Sequence, residues 1–336
     1  MTVSVQNSEY DLSVIITCRD SMESLPQCIG TVQPLMLQSR LRVQVLVVDM
    51  GSADGTLPYL AAERDRWHIS AYVSESFENR FAAMNRGLEL AQGRVCLFIT
   101  PETELMVENT TACCTPILAG DAESVFSTAV QVNPANGQYR PQTPNTKQLF
   151  LRTPCHVAAF FCSTRLLRQL GGFDWMRYPA LADVELMHRV LACGASHQVA
   201  ALSTCRLYGI AFSEEEQLHV DFLRFIATRR DDILLQCKAH PSYAVRAVHE
   251  MLRHAVRCDW PVAGGVTQIL DALLRELGRV LRPIIRRKII RRLRRRAVIQ
   301  AALLPFKGLR RARITSKLCR SHFHVARLLG ETETKI

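Results

Sequence analysis

Three short apolar runs, each followed by a helical pattern, constrain this chain more than any other feature. They read LSVIIT at residues 12–17, VQVLVVD at 43–49 and VCLFIT at 95–100. Runs this short and apolar throughout suit strands buried on both faces, which occur in parallel sheets covered by helices. The segments between them supply those helices: residues 24–37, then LPYLAAERDRW behind a GSADGT turn, then FAAMNRGLELAQG. In the last of these, Phe81, Met84, Leu88 and Leu90 fit a helix, and Gly93 reads as its stop. A weaker strand falls at 69–73. The rhythm predicts an α/β fold with a doubly wound, mostly parallel sheet.

Further along, residues 131–154 are rich in Pro, Asn, Gln and Thr and read as a flexible loop over the sheet edge. HVAAFFCS is a strand candidate. STRLLRQL is a helix stopped by Gly171 and Gly172, and a further helix starts near Asp183 and ends at Gly194. From Ser213 the pattern turns almost wholly helical, with Ser213 and Glu216 at capping-box spacing. Residues 275–336 hold 19 Lys/Arg against 3 Asp/Glu, a balance of +16, whereas residues 1–274 hold 23 against 28, a balance of −5. An acidic body thus precedes a basic tail. The expected division is 1–215 for the α/β domain, 216–274 for a helical segment and 275–336 for a basic amphipathic extension.

Twelve cysteines are present, but no CxxC pair occurs. That spacing speaks against a zinc site and for reduced, mostly buried thiols in a cytoplasmic protein. No secretory signal and no membrane-spanning apolar run is read in the sequence. The absence of GxGxxG after the first strand and of GxxxxGK[ST] gives no support to a dinucleotide fold or a P-loop.

The acids at strand ends carry the chemistry. Asp49 closes the second strand beside a Gly/Ser/Asp turn, where a carboxylate can meet a ribose hydroxyl or a nucleobase N–H, or simply organise the turn. Glu102 and Glu104 follow the fourth strand in ITPETEL. They are placed either to hold a cation or sugar hydroxyl, or to offset a helix macrodipole. Trp175 could stack on a sugar or pack in the core. His188 reads as a helix-face residue near Asp183, and Glu185 and Arg189 as a surface pair one helical turn apart.

The order SVIITCRD, VLVVDMGSADGT, AAMNRGLELAQGRVCLFITPETEL and LLRQLGGFDW…LADVELMHRVLACG resembles the inverting family-2 glycosyltransferases of the GT-A fold, in particular their rhamnosyltransferase-like branch. The resemblance spans about residues 12–210. It implies that Thr17 and Arg19 line the nucleotide pocket, that Asp49 lies near base and ribose, and that Asn85 packs beside the diphosphate. It implies further that Glu102 coordinates a divalent cation, Mg or Mn, that Asp183 is the general base, and that Trp175 lies on the acceptor side. The implied partners are a nucleotide-sugar donor and a saccharide or lipid-linked acceptor. Glu102, Thr100, Met50 and Ala182 depart from the family pattern. Glu102 and Ala182 motivate the alternative of a degenerate GT-A protein that binds a nucleotide sugar or a partner enzyme without turnover.

In the tail, RPIIRRKIIRRLRRRAV places Ile285, Ile289, Ile290, Leu293 and Ala297 on one helical arc and most arginines on the other. A cationic amphipathic helix suits an anionic membrane surface at the inner face of the cell membrane. Packing on the body and nucleic-acid binding are the alternatives, the latter disfavoured by the interleaved isoleucines.

Overall fold

The computed structural model describes residues 9–208 apart from 134, 148 and 149, then 215–239 and positions 243, 246, 247, 250 and 254. The chain divides into a unit ending at Ser213 and a unit beginning at Glu214. Ser213 and the basic extension lie outside the described residues, as does most of the segment 216–274 beyond residue 239.

The first unit is built on one mixed sheet. Its leading strands are β1 (Tyr10–Cys18), β2 (Val43–Asp49), β3 (Ala71–Ser74) and β4 (Gly93–Ile99). All pair in parallel, in the order β3-β2-β1-β4. Every residue of β2 is buried, as are Leu12 through Cys18, so the all-apolar runs are strands covered on both faces. The covering helices include α1 (Leu25–Gln38), α2 (Thr56–Glu63) and α3 (Arg80–Leu90). The chain crosses from β3 past β2 and β1 to reach β4, so the order reverses between β1 and β4. A crevice opens at such a reversal, beyond the carboxyl ends of the strands.

Three features depart from the sequence reading. Gly93 does not stop α3, which ends at Leu90 with Ala91 already extended; Gly93 opens β4 instead. A Cβ there would lie 2.4 Å from the Ser13 backbone nitrogen and 2.6 Å from the Leu12 carbonyl carbon, so glycine is required for close strand approach. The loop at 131–154 is not wholly loop. After β5 (Thr103–Leu105) and α4 (Val107–Ala119), β6 (Ser124–Val132) forms a hairpin with β7 (Tyr139–Gln142), whose polar sequence hides it because its residues are mostly exposed. The strand predicted at HVAAFFCS is shorter: a 3₁₀ turn occupies Val157–Ala159 and only β8 (Phe160–Ser163) pairs.

The helices α5 (Thr164–Gln169) and α6 (Ala182–Ala192) follow, and β9 (His197–Tyr208) closes the unit. β9 pairs with β6 in parallel and with β5 antiparallel. Two irregularities in its register fall between Phe126 and Ala129, and its first half is largely exposed. Neither β6 nor β9 was anticipated. Bulges and an exposed face break the all-apolar pattern by which buried strands are read.

Of the nine cysteines whose side chains are described, eight are buried and none is disulfide-bonded; Cys193 is exposed. Burial pushes the Cys28, Cys96 and Cys205 thiols up to about 12, which makes them inert packing groups.

The second unit contains α7 (Glu215–Thr228) and α8 (Arg230–Ala239). Within it, buried His219 and His254 approach at 2.8 Å between Nδ1 atoms, and His254 stacks on Phe222. Among the described residues no helix is long and apolar enough to cross a membrane.

Candidate active site

The parallel strands end together at one sheet edge, where the loops after β1 and β2 lock into each other. Asp20 Oδ1 accepts from the Ala53 amide at 2.7 Å, and the Asp20 amide donates to Ser52 Oγ at 2.8 Å. Asp54 accepts from the Met22 amide at 2.8 Å and from Thr56 Oγ1 at 2.6 Å. The Thr56 hydroxyl, then the Met22 amide, hold the Asp54 carboxyl below its ordinary value. Asp20 itself takes φ 47°, a left-handed conformation that aspartate tolerates better than most side chains. The rim of the crevice is thus fixed by hydrogen bonds between two loops. Asp20 and Asp54 went unremarked in the sequence, because the partners through which they lock the loops, Ser52, Ala53 and Met22, lie more than thirty residues away.

Asp49 is fully buried at the end of β2. Its Oδ2 accepts from the Gly51 amide at 3.0 Å, the Ser52 amide at 3.1 Å and Ser74 Oγ at 2.7 Å, and its Oδ1 accepts from Ser52 Oγ. These contacts tie the GSADGT turn to β2 and β3, the turn-organising role open to it from sequence. Thr17, one residue before the end of β1, is 3% exposed, and its Oγ1 has no hydrogen-bond partner. A buried orphan hydroxyl at a strand end is a polar group awaiting a partner. Arg19 projects outward, its side chain 64% exposed, with only a 4.0 Å approach to Asp20.

Glu102 is exposed in the turn after β4, and its backbone carbonyl accepts from the Tyr208 amide at 2.8 Å. Among the described residues no hydrogen bond or ion pair engages its carboxylate. Glu104 behaves differently from expectation. It lies in β5 and not in a helix; Arg206 Nη1 reaches its Oε1 at 2.8 Å and the Tyr208 hydroxyl donates to its Oε2. The first-turn acid of α4 is Glu108. Two acids two residues apart would share one face of a strand, but Glu102 lies in the turn before β5 and Glu104 within it, so only the fold says which finds a cationic partner.

Asn85, on α3, meets the segment after α5. Its Oδ1 accepts from the Phe173 amide at 2.8 Å and its Nδ2 donates to the Phe173 carbonyl at 2.9 Å. Gly172 takes φ 68°, and a Cβ there would stand 2.4 Å from Asn85 Oδ1, so glycine is needed twice over. The same segment is gripped from α6. Arg189 Nη2 donates to the Gly172 carbonyl at 2.6 Å, Nη1 donates to the Leu170 carbonyl, and Nε lies 2.8 Å from both Glu185 oxygens. The pair expected on the surface is therefore buried, with side chains 18% and 5% exposed. The reason is that Arg189 also caps the carbonyls that end α5.

Asp183 sits in the first turn of α6, two residues from Glu185, and is buried. Burial raises its carboxyl above the ordinary value, while Arg80 and the Val184 amide, at 2.8 Å from Oδ1, pull the other way. A buried carboxylate of raised affinity for protons has the profile of a general base. His188 faces away from any such role: its Nδ1 accepts from the Phe150 amide at 3.1 Å and its Nε2 lies 3.0 Å from the Arg152 carbonyl. It is a neutral clasp between α6 and the preceding segment. Trp175 is half-buried in the turn after Phe173, beside Met176, which is 79% exposed.

The parallel ends of β1, β2 and β4 thus bring Thr17, Arg19, Asp49 and Glu102 to one edge, and the Phe173 segment joins Asn85 to the helix that bears Asp183. Among the described residues no cluster of three or more metal-ligating side chains forms.

Residues 13–173 match the family model described as Glycosyl transferase family 2. In structure the chain is similar to S. aureus TarS, at a TM-score of 0.56 and 16% identity over 80% of this chain and 52% of that one. The chain thus spans about half the length of that protein. It is also similar to TarS 1–349 in complex with UDP-GlcNAc, at 0.56 and 15% over 80% and 82% of the two chains, and in complex with UDP, at 0.55 and 15% over 97% and 94%. No curated protein matches the chain in sequence. The fold is the GT-A fold anticipated from the strand-end motifs, and the matched segment covers β1 through the Phe173 turn.

Proposed function

We propose that this chain, a glycosyltransferase whose family-2 domain spans residues 13–173, moves a sugar with inversion from a nucleotide-diphosphate donor to a hydroxyl of a saccharide or lipid-linked acceptor. The observation that carries this reading is the placement of the buried Asp183 carboxylate. It stands on a helix clamped, through Arg189 and the Phe173 segment, to the motif that bears Asn85. One base and one displacement suffice for inversion, so no enzymic nucleophile is required.

The donor's nucleoside end is assigned to the interlocked loops after β1 and β2. Thr17 Oγ1 supplies a hydrogen-bonding group without a protein partner, Arg19 an exposed cation, and Asp49 holds the wall near base and ribose. Asn85 fixes the Phe173 segment beside the diphosphate. Asp183 takes the acceptor proton, and Trp175 borders the acceptor. TarS with UDP-GlcNAc makes a uridine-linked donor the first to try.

Glu102 fits a divalent cation as a single hard-oxygen ligand, because its carboxylate is exposed and uncommitted at the crevice edge. Its cation would be completed by diphosphate oxygens and water. When bound, such an ion neutralises charge on the departing diphosphate. In a thermal-shift panel of nucleotide sugars with Mn²⁺ or Mg²⁺, donor-induced stabilisation is expected to require the metal and to vanish in Glu102→Ala. Stabilisation that persists without metal would remove Glu102 from this role.

A second reading, nucleotide-sugar binding without turnover, is favoured by one observation: Ala182, where the family has a glutamate, is fully buried. Donor binding in the same panel, with neither transfer nor hydrolysis for any nucleotide sugar, would select it.

The basic extension supports attachment to an anionic membrane face, a reading from sequence alone. In the full chain, co-sedimentation with phosphatidylserine-containing vesicles is expected to weaken with salt but to leave a salt-resistant remainder. Replacing Ile285, Ile289 and Leu293 together by Ser should abolish that remainder. Complete elution of the unaltered protein by salt would reduce the extension to a purely electrostatic contact.

A further inference from the structure

The turn that presents Glu102 is closed twice over. The Thr103 amide donates to the Thr100 carbonyl at 2.9 Å, the Thr100 amide donates to Thr103 Oγ1 at 3.3 Å, and Pro101 between them fixes one backbone angle. Helix α1 holds it from one side. The Cys28 thiol donates to the Thr100 carbonyl at 3.5 Å, and Thr31 Oγ1 accepts from the Leu105 amide at 3.2 Å. The backbone at Glu102 is thus set while its carboxylate stays exposed.

The other side is β9. Strand β5 begins immediately after Glu102, is three residues long and ends the sheet order, so few backbone bonds hold it. β9 is the firmer partner, since Val130, Gln131 and Val132 of β6 pair with Arg206, Leu207 and Tyr208 along its far edge. Against it, Thr103 pairs with Leu207 and Glu104 with Arg206 in antiparallel register. The Tyr208 amide then reaches past the start of β5 to the Glu102 carbonyl at 2.8 Å.

On an antiparallel pair, the residue directly opposite and the residue two further along lie on one face. Glu104 uses both. Arg206, opposite it, donates from Nη1 to Oε1 at 2.8 Å, and Tyr208, two residues on, donates its hydroxyl to Oε2. One carboxylate therefore bridges two residues of β9, which fixes β5 lengthwise and not only across the ladder. Such a bridge resists the slip in register that a three-residue strand otherwise permits. The Arg206 and Glu104 side chains are 38% and 26% exposed, so the pair contributes little to global stability and its effect is local.

We propose that Glu104, Arg206 and Tyr208 are positioning residues for Glu102, a clamp that sets where its carboxylate stands by pinning the start of β5 to the end of β9. The proposal rests on the reading of Glu102 as the cation's protein ligand. In that reading diphosphate and water complete the shell, so Glu102 alone ties the ion to the chain and its placement decides how tightly the ion is held.

The test is Mn²⁺ binding to the full-length protein, followed by loss of the free-ion electron paramagnetic resonance signal against a protein-free blank. The nucleotide present is whichever of UDP, GDP, dTDP and CDP gives the tightest binding. Tyr208→Phe, which removes a single oxygen, and Arg206→Gln are each expected to weaken Mn²⁺ binding about tenfold, the low end for loss of a group that orients a metal ligand. Both should keep the ligand-free thermal midpoint of the unaltered protein, as an exposed pair implies. Affinity for Mn²⁺ unchanged in either variant, while Glu102→Ala loses it, overturns the clamp and leaves Glu102 as the ligand. A fall in affinity accompanied by a large drop in the ligand-free midpoint also overturns the clamp, because the residues then serve the fold at large. Mn²⁺ binding that survives in Glu102→Ala, or that occurs with none of the four nucleotides, overturns the reading of Glu102 and the clamp with it.

Discussion

Asp183→Asn is expected to lower transfer by about two orders of magnitude or more while donor affinity stays within a small factor of that of the unaltered protein. The amide keeps the shape and the hydrogen bond from the Val184 amide but cannot accept a proton. The same substitution should leave thermal stability at neutral pH unchanged or increased. The Asp183 carboxyl is raised in the folded protein, chiefly by burial. Below the unfolded-state value the group is protonated in both states and carries no burial cost. As pH rises through the unfolded and then the folded value, the native state comes to hold a charge it disfavours, and stability from this group is lost. Asparagine has no such cost, so any advantage of the variant in Tm should be largest near neutrality and fade in acid. A variant that transfers sugar as fast as the unaltered enzyme would remove Asp183 from the chemistry. A large drop in Tm would make it a structural residue.

The second large effect is expected at Arg189. Arg189→Ala should destabilise the first unit by about 3–5 kcal/mol, because it leaves the buried Glu185 carboxylate uncompensated. It also strips the Leu170 and Gly172 carbonyls of their donor. Arg66→Ala is the control: Arg66 pairs with Glu63 at 3.0 Å with its own side chain 69% exposed, and exposed pairs contribute about 0–1 kcal/mol. Urea midpoints at equal m would compare the two. Equal midpoints for both variants would mean that Arg189 clamps nothing. The functional consequence is equally specific. Since Arg189 ties the helix of Asp183 to the segment that Asn85 holds, its loss should lower kcat more than it raises the KM for donor.

These two residues show how legible the site was. Asp183 was singled out by its place in a motif, and the structure puts it in the first turn of α6, where the pattern had a helix start. Arg189 looked like half of an ordinary helix-surface pair, since spacing of one turn is the same whether that face meets water or protein. Glu102 and Glu104 make the same point. They are chemically alike and two residues apart, yet one is uncommitted at the crevice edge and the other is tied to Arg206 and Tyr208 from the end of β9.

The local sequence by itself determined the parallel half of the sheet. Runs of apolar residues that cannot face water on either side must be covered by helices, and β1, β2 and β4 lie within two residues of where the pattern puts them. It also determined the stops at Gly171 and Gly172, where the backbone takes positive φ. Only the tertiary structure decided the rest. β6, β7 and β9 are half-exposed, bulged or polar, so their pairing is set by register with distant strands and not by their own composition. Gly93 reads as a helix stop until Ser13 and Leu12 come within contact of it. Burial, charge partners and the closeness of backbones are properties of pairs of segments, and a linear chain records each segment but not the meeting.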